Sequence, residues 1–231
     1  MITLPIAEIF CSLQGEGLLT GTKSAFVRVA GCNLRCRFCD TPYASLRAEG
    51  NPLSIGAILQ EVDRFKVAHV VLTGGEPMLF PAIEPLSQAL AARGYHITVE
   101  TNGTIYRPVS CHLMSVSPKL SNSTPSSEEA STWASLHEKR RFVPEVVRRL
   151  IREYPYQLKF VIDRPEDLAE VEEYLANFPE AEPSRILLMP QGVNLTELRE
   201  KQTWLEPYCQ QKGYVFCPRR HIEWFGGVRG T

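Results

Sequence analysis

Short apolar runs alternate with stretches that carry helix signals along most of the chain. The runs are rich in β-branched residues and end in glycine or polar residues, a pattern typical of strands. The predicted strands cover residues 6–11, 24–30, 69–73, 96–99, 112–116, 157–162 and 185–189. The predicted helices cover residues 54–65, 81–93, 144–154, 165–178 and 194–213. Strands that alternate with helices predict right-handed crossovers and a parallel sheet.

The predicted sheet is open. The near-continuous apolar character of its strands fits burial on both faces. Polar residues follow the C-terminal ends of the strands, where parallel sheets and barrels bind ligands, but the strands are too few for a closed eight-stranded barrel. A chain of 231 residues, 44% of them hydrophobic, can form one sizeable core. We therefore predict an α/β fold, a partial (open) β/α barrel, in a single domain that spans residues 1–231.

Residues 120–142 interrupt this alternation. Serine, threonine, asparagine and glutamate dominate their first half, which predicts a long loop. Such a loop is either a lid over a site or a segment that is disordered without function.

The charge balance gives no indication of nucleic-acid binding, because 25 Lys and Arg stand against 26 Asp and Glu for a formal net charge of -1. The N-terminus lacks the features of a signal peptide, and no apolar run is long enough to cross a membrane. We therefore expect a cytoplasmic protein with no membrane partner. In that compartment, clustered cysteines indicate metal binding or catalysis.

Three cysteines, Cys32, Cys36 and Cys39, lie in one short loop after a predicted strand. A closed structural zinc site uses four ligands. A 4Fe–4S cluster held by three cysteines instead keeps one iron open for another molecule. The spacing of the cysteines resembles that of the radical S-adenosylmethionine (SAM) superfamily. In that superfamily the open iron chelates the amino and carboxylate groups of SAM, and one electron then splits the sulfonium.

A zinc-dependent binding module is the alternative from a different functional class. Its ligands would be the three loop cysteines with Cys217 or His221 as the fourth. The cysteines outside the loop are irregularly spaced and are expected to be buried as small apolar residues: Cys11, Cys111, Cys209 and Cys217. Three histidines lie in apolar strands and are expected to be satisfied core residues: His69, His96 and His112.

A second motif, Gly74-Gly75-Glu76-Pro77, ends the predicted strand at residues 69–73. Its glycines expose backbone groups to a ligand, and Glu76 offers a carboxylate to an ammonium such as that of SAM. Alone, it is a common turn at the end of a strand. One helix and one strand after the cysteine loop, it matches the second hallmark of the radical SAM superfamily.

Further stretches narrow the resemblance. They are residues 13–17, 26–34, 39–41, 100–103, 117–119 and 224–230. Together with the two motifs they resemble the family of 7-carboxy-7-deazaguanine synthases, most weakly in residues 120–184. That family converts 6-carboxy-5,6,7,8-tetrahydropterin into 7-carboxy-7-deazaguanine with release of ammonia, on the route to queuosine and other 7-deazapurines. A glycyl-radical activating enzyme, which shares the cysteine spacing but acts on a protein backbone, is the alternative enzyme.

The resemblance implies a set of site residues. Cys32, Cys36 and Cys39 would hold the 4Fe–4S cluster, and Thr41 would supply a hydroxyl oxygen to Mg²⁺. The implied SAM contacts are Gly75, Glu76, Ser117, Pro118, Lys119 and Gln191. The implied pterin contacts are Leu13, Gln14, Gly15, Glu16, Arg28, Thr73 and the last residue, Thr231.

These implied roles agree with side-chain chemistry. Arg28 suits the substrate carboxylate as a forked cation, and Glu16 suits the donor edge of the guanidine-like ring. Mg²⁺ takes oxygen ligands, so it can bridge Thr41 and the substrate carboxylate. From the residues alone, Arg28 can equally pair with a surface acid, and Thr41 can cap the turn before Pro42. The resemblance also implies a homodimer and an electron donor such as flavodoxin.

Overall fold

One nine-stranded sheet organises the computed structural model, which describes residues 2–125 and 127–230. The strands are β1 (Thr3–Leu13), β2 (Lys23–Val29), β3 (Asn51–Ser54), β4 (His69–Gly74), β5 (His96–Thr101), β6 (Leu113–Val116), β7 (Tyr156–Ile162), β8 (Ile186–Pro190) and β9 (Val215–Phe216). Their order across the sheet is β3-β1-β2-β4-β5-β6-β7-β8-β9. From β2 to β9 all pairs are parallel, whereas β1 is antiparallel to both β2 and β3. The sheet does not close on itself, so the predicted open partial barrel is confirmed.

Helices follow most of the strands along the chain. They are α1 (Pro42–Ser45), α2 (Ile55–Arg64), α3 (Ile83–Ala91), α4 (Ser127–Arg141), α5 (Pro144–Glu153), α6 (Asp167–Leu175), α7 (Leu195–Lys212) and α8 (Arg220–Phe225). Ser54 caps α2 as expected, because its hydroxyl accepts a hydrogen bond from the Ala57 N–H at 3.2 Å. Asn194 caps α7 in the same way from the Glu197 N–H at 3.0 Å. Gly213 ends α7 in the left-handed conformation, with a φ of 72°.

The two faces of the sheet differ in character, because successive side chains of a strand point to opposite sides. Fully buried apolar residues on the outer face pack with the helices into the hydrophobic core: Val27, Leu72, Val99, Met114, Phe160 and Leu188. The intervening residues on the inner face include polar ones, namely Arg28, Thr73, Glu100, Ser115 and Lys159. The outer face therefore packs against the core, whereas the inner face lines a cavity with both polar and apolar side chains, beside a small apolar cluster of Leu187, Met189 and Cys217.

The predicted strands and helices all form, with shifted ends. The sequence did not reveal the short elements β3, β9, α1 and α8. The loop predicted at residues 120–142 is wrong, because a 3₁₀ turn spans Ser121–Ser123 and α4 follows it. Strong helix formers make up much of α4, and His137 within it is buried. The buried polar side chain of His137 holds this helix against the protein. An apolar stripe, which sequence patterns detect, would usually do so.

Three histidines stack near the starts of their strands, at the end of the sheet opposite to the cavity. The His96 ring lies 4.5 Å from that of His69 and 4.8 Å from that of His112, between centroids. The Nδ1 of His112 accepts a hydrogen bond from the Ile97 N–H at 3.1 Å. The expectation of satisfied core histidines is wrong in two respects. His112 is exposed, and the buried Nδ1 of His96 has no hydrogen-bond partner within the described part of the chain.

Outside the cysteine loop, Cys209 and Cys217 are buried as expected, whereas Cys11 and Cys111 are only partly buried. Among the described residues, no helix combines the length and the apolar character that crossing a bilayer requires.

Candidate active site

A cavity of about 260 Å³ extends from the inner face of the sheet to the C-terminal ends of the parallel strands. Most of the site residues predicted from the sequence line it: Leu13, Gln14, Gly15, Glu16, Arg28, Cys32, Cys36, Cys39, Thr41, Thr73, Gly75, Ser117, Lys119 and Gln191. Glu76 and Pro118 are not part of its lining. Thr231 lies outside the described residues. One cavity thus brings together predicted site residues that are up to 178 positions apart in sequence, from Leu13 to Gln191.

The cysteine loop follows β2 and presents three free thiols to the cavity. Burial raises the pKa of Cys32 to about 12 and that of Cys36 to about 11, so both are neutral thiols at pH 7. Polar groups contact two of the sulfurs. The Leu34 N–H donates to the Sγ of Cys32 at 3.4 Å, and the Oγ of Ser45 lies 2.9 Å from the Sγ of Cys39.

The donor set of these three thiols is suited to a metal cluster. Within residues 2–125 and 127–230, no group of three or more His, Cys, Asp or Glu side chains is arranged around one metal-ion position. In a 4Fe–4S cubane each cysteine binds a different iron, so the sulfurs line a cavity without meeting at one point. Metal binding would also remove the thiol protons that burial favours. Contacts such as the Leu34 N–H donation are those that tune the sulfurs of a cluster.

The glycine motif is packed directly against the cysteine loop. A Cβ on Gly75 would lie 2.2 Å from the Gly31 carbonyl oxygen and 3.0 Å from the Cβ of Cys32, so only glycine fits there. The Glu76 N–H donates to the same Gly31 oxygen at 2.8 Å, and the Gly75 N–H donates to the Val29 oxygen at 3.1 Å. This close backbone approach explains why the two motifs occur together.

Glu76 itself faces the protein rather than the cavity. Its side chain is completely buried and accepts hydrogen bonds from the Thr101 hydroxyl at 2.8 Å and from the N–H groups of Met78 at 2.9 Å and Asn102 at 2.7 Å. Burial raises its pKa despite these donors. The structure therefore gives the Glu76 carboxylate the contacts of a group that fixes the turn. The backbone of the neighbouring glycines lines the cavity.

A buried ion-pair network lies on the inner face at the turn that follows β1. Lys159 on β7 makes a short contact with Glu16, and the Nε of Arg219 lies 3.4 Å from the same carboxylate. Burial opposes the charge on Glu16, but Lys159 and Arg219 outweigh it and hold the pKa of Glu16 well below its usual range. His221 lies 3.7 Å from Glu16, and burial lowers the pKa of its imidazole. Glu16 is thus ionised and compensated by protein cations.

Arg219 also ties the C-terminal segment to the cysteine loop. Its guanidinium is 7% exposed and donates to Asp40 at 2.7 Å and to the Gly192 carbonyl at 2.7 Å. Asp40 follows Cys39 directly in the sequence. One side chain therefore positions three segments that meet at the cavity.

A second carboxylate, that of Glu100 on β5, lines the cavity with neutral partners. The amide of Gln14 donates to its Oε1 at 3.0 Å, and the hydroxyl of Thr73 donates to its Oε2 at 2.9 Å. Gln14 in turn accepts a hydrogen bond from the Glu16 N–H at 3.2 Å. Two residues that the sequence assigns to the pterin, Gln14 and Thr73, thus also orient Glu100.

Arg28 pairs with an acid, as the residues alone allow. It also lines the cavity, as a substrate contact would. Its Nε donates to Glu8 on β1 at 2.7 Å. Tyr43 and Arg229 donate to the same carboxylate at 2.6 and 3.0 Å. Burial raises the pKa of Glu8, but the hydrogen bonds from Tyr43, Arg229 and Arg28 outweigh it and lower that pKa. The terminal nitrogens of Arg28 do not take part in this pair.

Thr41 precedes α1 but does not cap it with its side chain. Its hydroxyl lies 3.9 Å from the Sγ of Cys39 and lines the cavity. The capping role considered for this residue is therefore wrong, because its hydroxyl oxygen accepts no capping hydrogen bond.

Helix α4 braces the outside of the cysteine loop. The Nδ1 of His137 accepts a hydrogen bond from the Arg35 N–H at 3.1 Å, and its Nε2 lies 2.9 Å from the Ser123 hydroxyl. Arg35 also stacks over the Trp133 ring at 4.4 Å. Of the described residues in 120–141, none lines the cavity. The described residues of this segment thus contact the cysteine loop and take no part in the cavity lining.

The cavity lining also includes residues that sequence reasoning did not assign to the enzyme's site, among them Glu100, Lys159, Arg219 and His221. Two of them left a signal, because Glu100 and Lys159 are polar residues at alternate positions of otherwise apolar strands. In a strand this period of two marks a face that differs from the core. Arg219 and His221 lie in a C-terminal segment whose pattern gave no indication of where it folds.

The comparisons with known proteins agree with this site. The model of the Radical SAM superfamily matches residues 26–115, which contain both motifs. The chain is 44% identical over 230 residues to a 7-carboxy-7-deazaguanine synthase of Rhodopirellula baltica, covering 99% of this chain and 89% of the relative. It is also 44% identical over 229 residues to the enzyme of that name from Halobacterium salinarum, covering 95% and 89%.

A solved structure shows the same fold. The crystal structure of QueE from Escherichia coli matches with a TM-score of 0.72 and 24% sequence identity, over 96% of both chains. At that identity the match supports the open partial barrel and nothing finer.

Proposed function

Because the chain belongs to the family of 7-carboxy-7-deazaguanine synthases, we infer that it catalyses the ring contraction of 6-carboxy-5,6,7,8-tetrahydropterin. The product is 7-carboxy-7-deazaguanine, ammonia is released, and the reaction belongs to queuosine and 7-deazapurine biosynthesis. The enzyme is a radical SAM lyase that uses a 4Fe–4S cluster and SAM. The observation that carries this conclusion is the meeting of three free thiols, a glycine turn and a polar strand face in one cavity.

The cluster and SAM, when bound, supply the radical that removes a hydrogen atom from the substrate. Cys32, Cys36 and Cys39 are the residues that would hold the cluster, since their thiols line the cavity without a disulfide. Packing of Gly75 against Gly31 supports this role, because it places the backbone next to the cysteine loop. The chain's task is to bind and orient both molecules.

The SAM site is proposed at the strand ends next to the cysteine loop. Gly75, Ser117 and Lys119 line that part of the cavity, as does Gln191. The ammonium of Lys119 donates to the Ser117 carbonyl at 2.6 Å and to its hydroxyl at 2.8 Å, so the two residues act as one unit. Glu76 and Pro118 are proposed to shape this site from behind the cavity wall.

The pterin site is proposed on the inner face of the sheet, bounded by Leu13, Gln14, Gly15, Glu16, Arg28 and Thr73. Arg28 supplies the cation for the substrate carboxylate. Its Nε is already fixed by Glu8 at 2.7 Å, which leaves its terminal nitrogens for a forked pair of hydrogen bonds. Thr231 is also proposed to contact the substrate.

Thr41 is proposed to bind Mg²⁺ together with the substrate carboxylate. Its hydroxyl lines the cavity and does not cap α1, and Mg²⁺ prefers oxygen ligands. We further propose that the chain forms one cytoplasmic domain, acts as a homodimer and accepts electrons from a protein such as flavodoxin.

An anaerobic turnover assay tests the function. The reconstituted protein, given 6-carboxytetrahydropterin, SAM, a reductant and Mg²⁺, should form 7-carboxy-7-deazaguanine and one ammonia per product, measured by mass spectrometry. The Cys36→Ala variant should lose the cluster and the activity together. Absence of product from protein with an intact cluster would contradict the substrate assignment.

A further inference from the structure

Glu100 belongs to the 100–103 motif, for which the sequence gave no role, and it lines the cavity in contact with Gln14 and Thr73 of the proposed pterin site. We propose that Glu100 recognises the donor edge of the pterin ring, accepting hydrogen bonds from its N3–H and its 2-amino group. This inference rests on the proposed function, because the pterin is its substrate. It moves to Glu100 a role that side-chain chemistry alone had suggested for Glu16.

The carboxylate of Glu16 is already paired with protein cations. Lys159 and Arg219 both contact its carboxylate, and His221 lies 3.7 Å away. A buried carboxylate in this setting keeps its charge because protein cations compensate it. A ligand that displaced Lys159 from Oε2 would leave a buried ammonium without its contact, which costs several kcal/mol, whereas Arg219 would keep Asp40.

The carboxylate of Glu100, in contrast, can still accept hydrogen bonds from a ligand. Its two protein partners, Gln14 at 3.0 Å and Thr73 at 2.9 Å, are both neutral and use one hydrogen bond on each oxygen. Within the described part of the chain, no Lys, Arg or His nitrogen lies within 4.0 Å of its carboxylate. An ionised carboxylate has about four acceptor positions, so each oxygen keeps one for a ligand.

The charge of Lys159 acts on both Glu16 and Glu100. Burial disfavours the charged ammonium of Lys159, but Glu16 and then Glu100 outweigh it and raise the Lys159 pKa. Lys159 thus stabilises both carboxylates while contacting only Glu16. Lys159 therefore places a positive charge near Glu100 without occupying its oxygens.

The donor edge of a pterin also matches the shape of a carboxylate. The N3–H and the 2-amino N–H of a pterin lie side by side and point the same way, as the two donors of a guanidinium edge do. A carboxylate receives such a pair in two parallel hydrogen bonds. Gln14 and Thr73 hold the carboxylate from opposite oxygens, which fixes its plane before the ligand arrives.

Selectivity between two ring systems tests this proposal. A lumazine analogue, 6-carboxy-5,6,7,8-tetrahydrolumazine, keeps the N3–H but has an oxygen in place of the 2-amino group. Facing a carboxylate, that oxygen meets an acceptor, so the wild-type enzyme should prefer the pterin by about 100-fold or more. In Glu100→Gln the amide offers one acceptor and one donor, which matches the lumazine edge. We expect the preference to fall at least about tenfold and to approach reversal.

Binding is measured on the unreduced holoenzyme with SAM present, by anaerobic calorimetry, and kcat/KM is measured after reduction. The matched control is Glu16→Gln. If Glu16 recognises the donor edge instead, that variant changes the preference and Glu100→Gln does not. Retention of the wild-type preference within about threefold in Glu100→Gln overturns the proposal.

Two further measurements keep the test decisive. If Glu100→Gln does not take up its cluster, Thr73→Val removes the donor that orients Oε2 and should lower the preference for the pterin over the lumazine about tenfold. An unchanged preference in Thr73→Val, with both ligands bound more weakly by the same factor, would contradict the proposal. A wild-type protein that binds the pterin selectively but forms no product would refute the proposed function and leave the role of Glu100 standing.

Discussion

Replacement of Lys159 by methionine removes the closest cation from Glu16 in a site that water scarcely reaches. The side chains of Lys159 and Glu16 are 8% and 15% exposed. Loss of one partner from a buried ion pair destabilises a protein by about 3–5 kcal/mol, because the other charge is left buried. Arg219 remains 3.4 Å from Glu16 and compensates part of this charge. We therefore expect Lys159→Met to lower the free energy of unfolding by about 2–3 kcal/mol.

A double-mutant cycle separates the pair from its surroundings. Glu16→Gln alone should cost about 1–2 kcal/mol, because Lys159 keeps the neighbouring charge of Glu100. The double variant Glu16→Gln/Lys159→Met removes both charges, so it should be more stable than the sum of the single changes predicts, by about 2 kcal/mol. Pterin binding should not recover in the double variant, since the cavity lining differs from the wild type.

Urea unfolding followed by circular dichroism measures these free energies, in cluster-free protein so that loss of the metal does not contribute. The control is the exposed pair of Arg64 and Glu61, whose side chains are 71% and 43% exposed. Arg64→Met should change stability by no more than about 0.5 kcal/mol. A loss of less than about 1 kcal/mol in Lys159→Met, or strict additivity in the cycle, would refute the reasoning.

Three further predictions concern the loop, the turn and pH. Thr41→Ala should weaken the dependence of turnover on Mg²⁺ while cluster content, measured as iron per chain, stays unchanged; an unaltered Mg²⁺ titration would contradict it. Gly75→Ala places a Cβ 2.2 Å from the Gly31 oxygen and should cost about 1–3 kcal/mol in urea unfolding, whereas Gly56→Ala on α2 should not destabilise the protein. Burial lowers the pKa of His137 from 6.5 to about 4, so the unfolded chain takes up a proton before the folded one does. Stability should therefore fall as the pH drops from about 6.5 towards 4, by up to about 3 kcal/mol, and His137→Gln should flatten this slope in unfolding at several pH values.

The order of elements could be predicted because each parallel strand is a short apolar run followed by helix signals. Local information fixed such features as the Ser54 cap, which accepts a hydrogen bond from the Ala57 N–H. The short strands β3 and β9 could not be predicted, because their pairing with distant strands, and not their own pattern, makes them strands. For α4 the pattern was misleading, since a buried His137 contact anchors a helix without an apolar stripe.

The cysteine loop and the glycine turn could be recognised because each is a local motif. The charges around them could not be placed, because their partners are far apart in the chain. Lys159 and Glu16 are 143 residues apart, and Arg219 is 179 residues from Asp40. A period of two in the polar residues of β5 and β7 gives the one local sign that the inner face is a site.

The central claim is that Cys32, Cys36 and Cys39 hold a 4Fe–4S cluster with one iron open to SAM. Electron paramagnetic resonance of the reduced protein, recorded with and without SAM, tests it most directly. The account predicts the signal of one reduced cluster that changes when SAM is added, and no such signal in Cys36→Ala. A cluster signal that saturating SAM leaves unchanged, while calorimetry shows SAM bound, would contradict the claim.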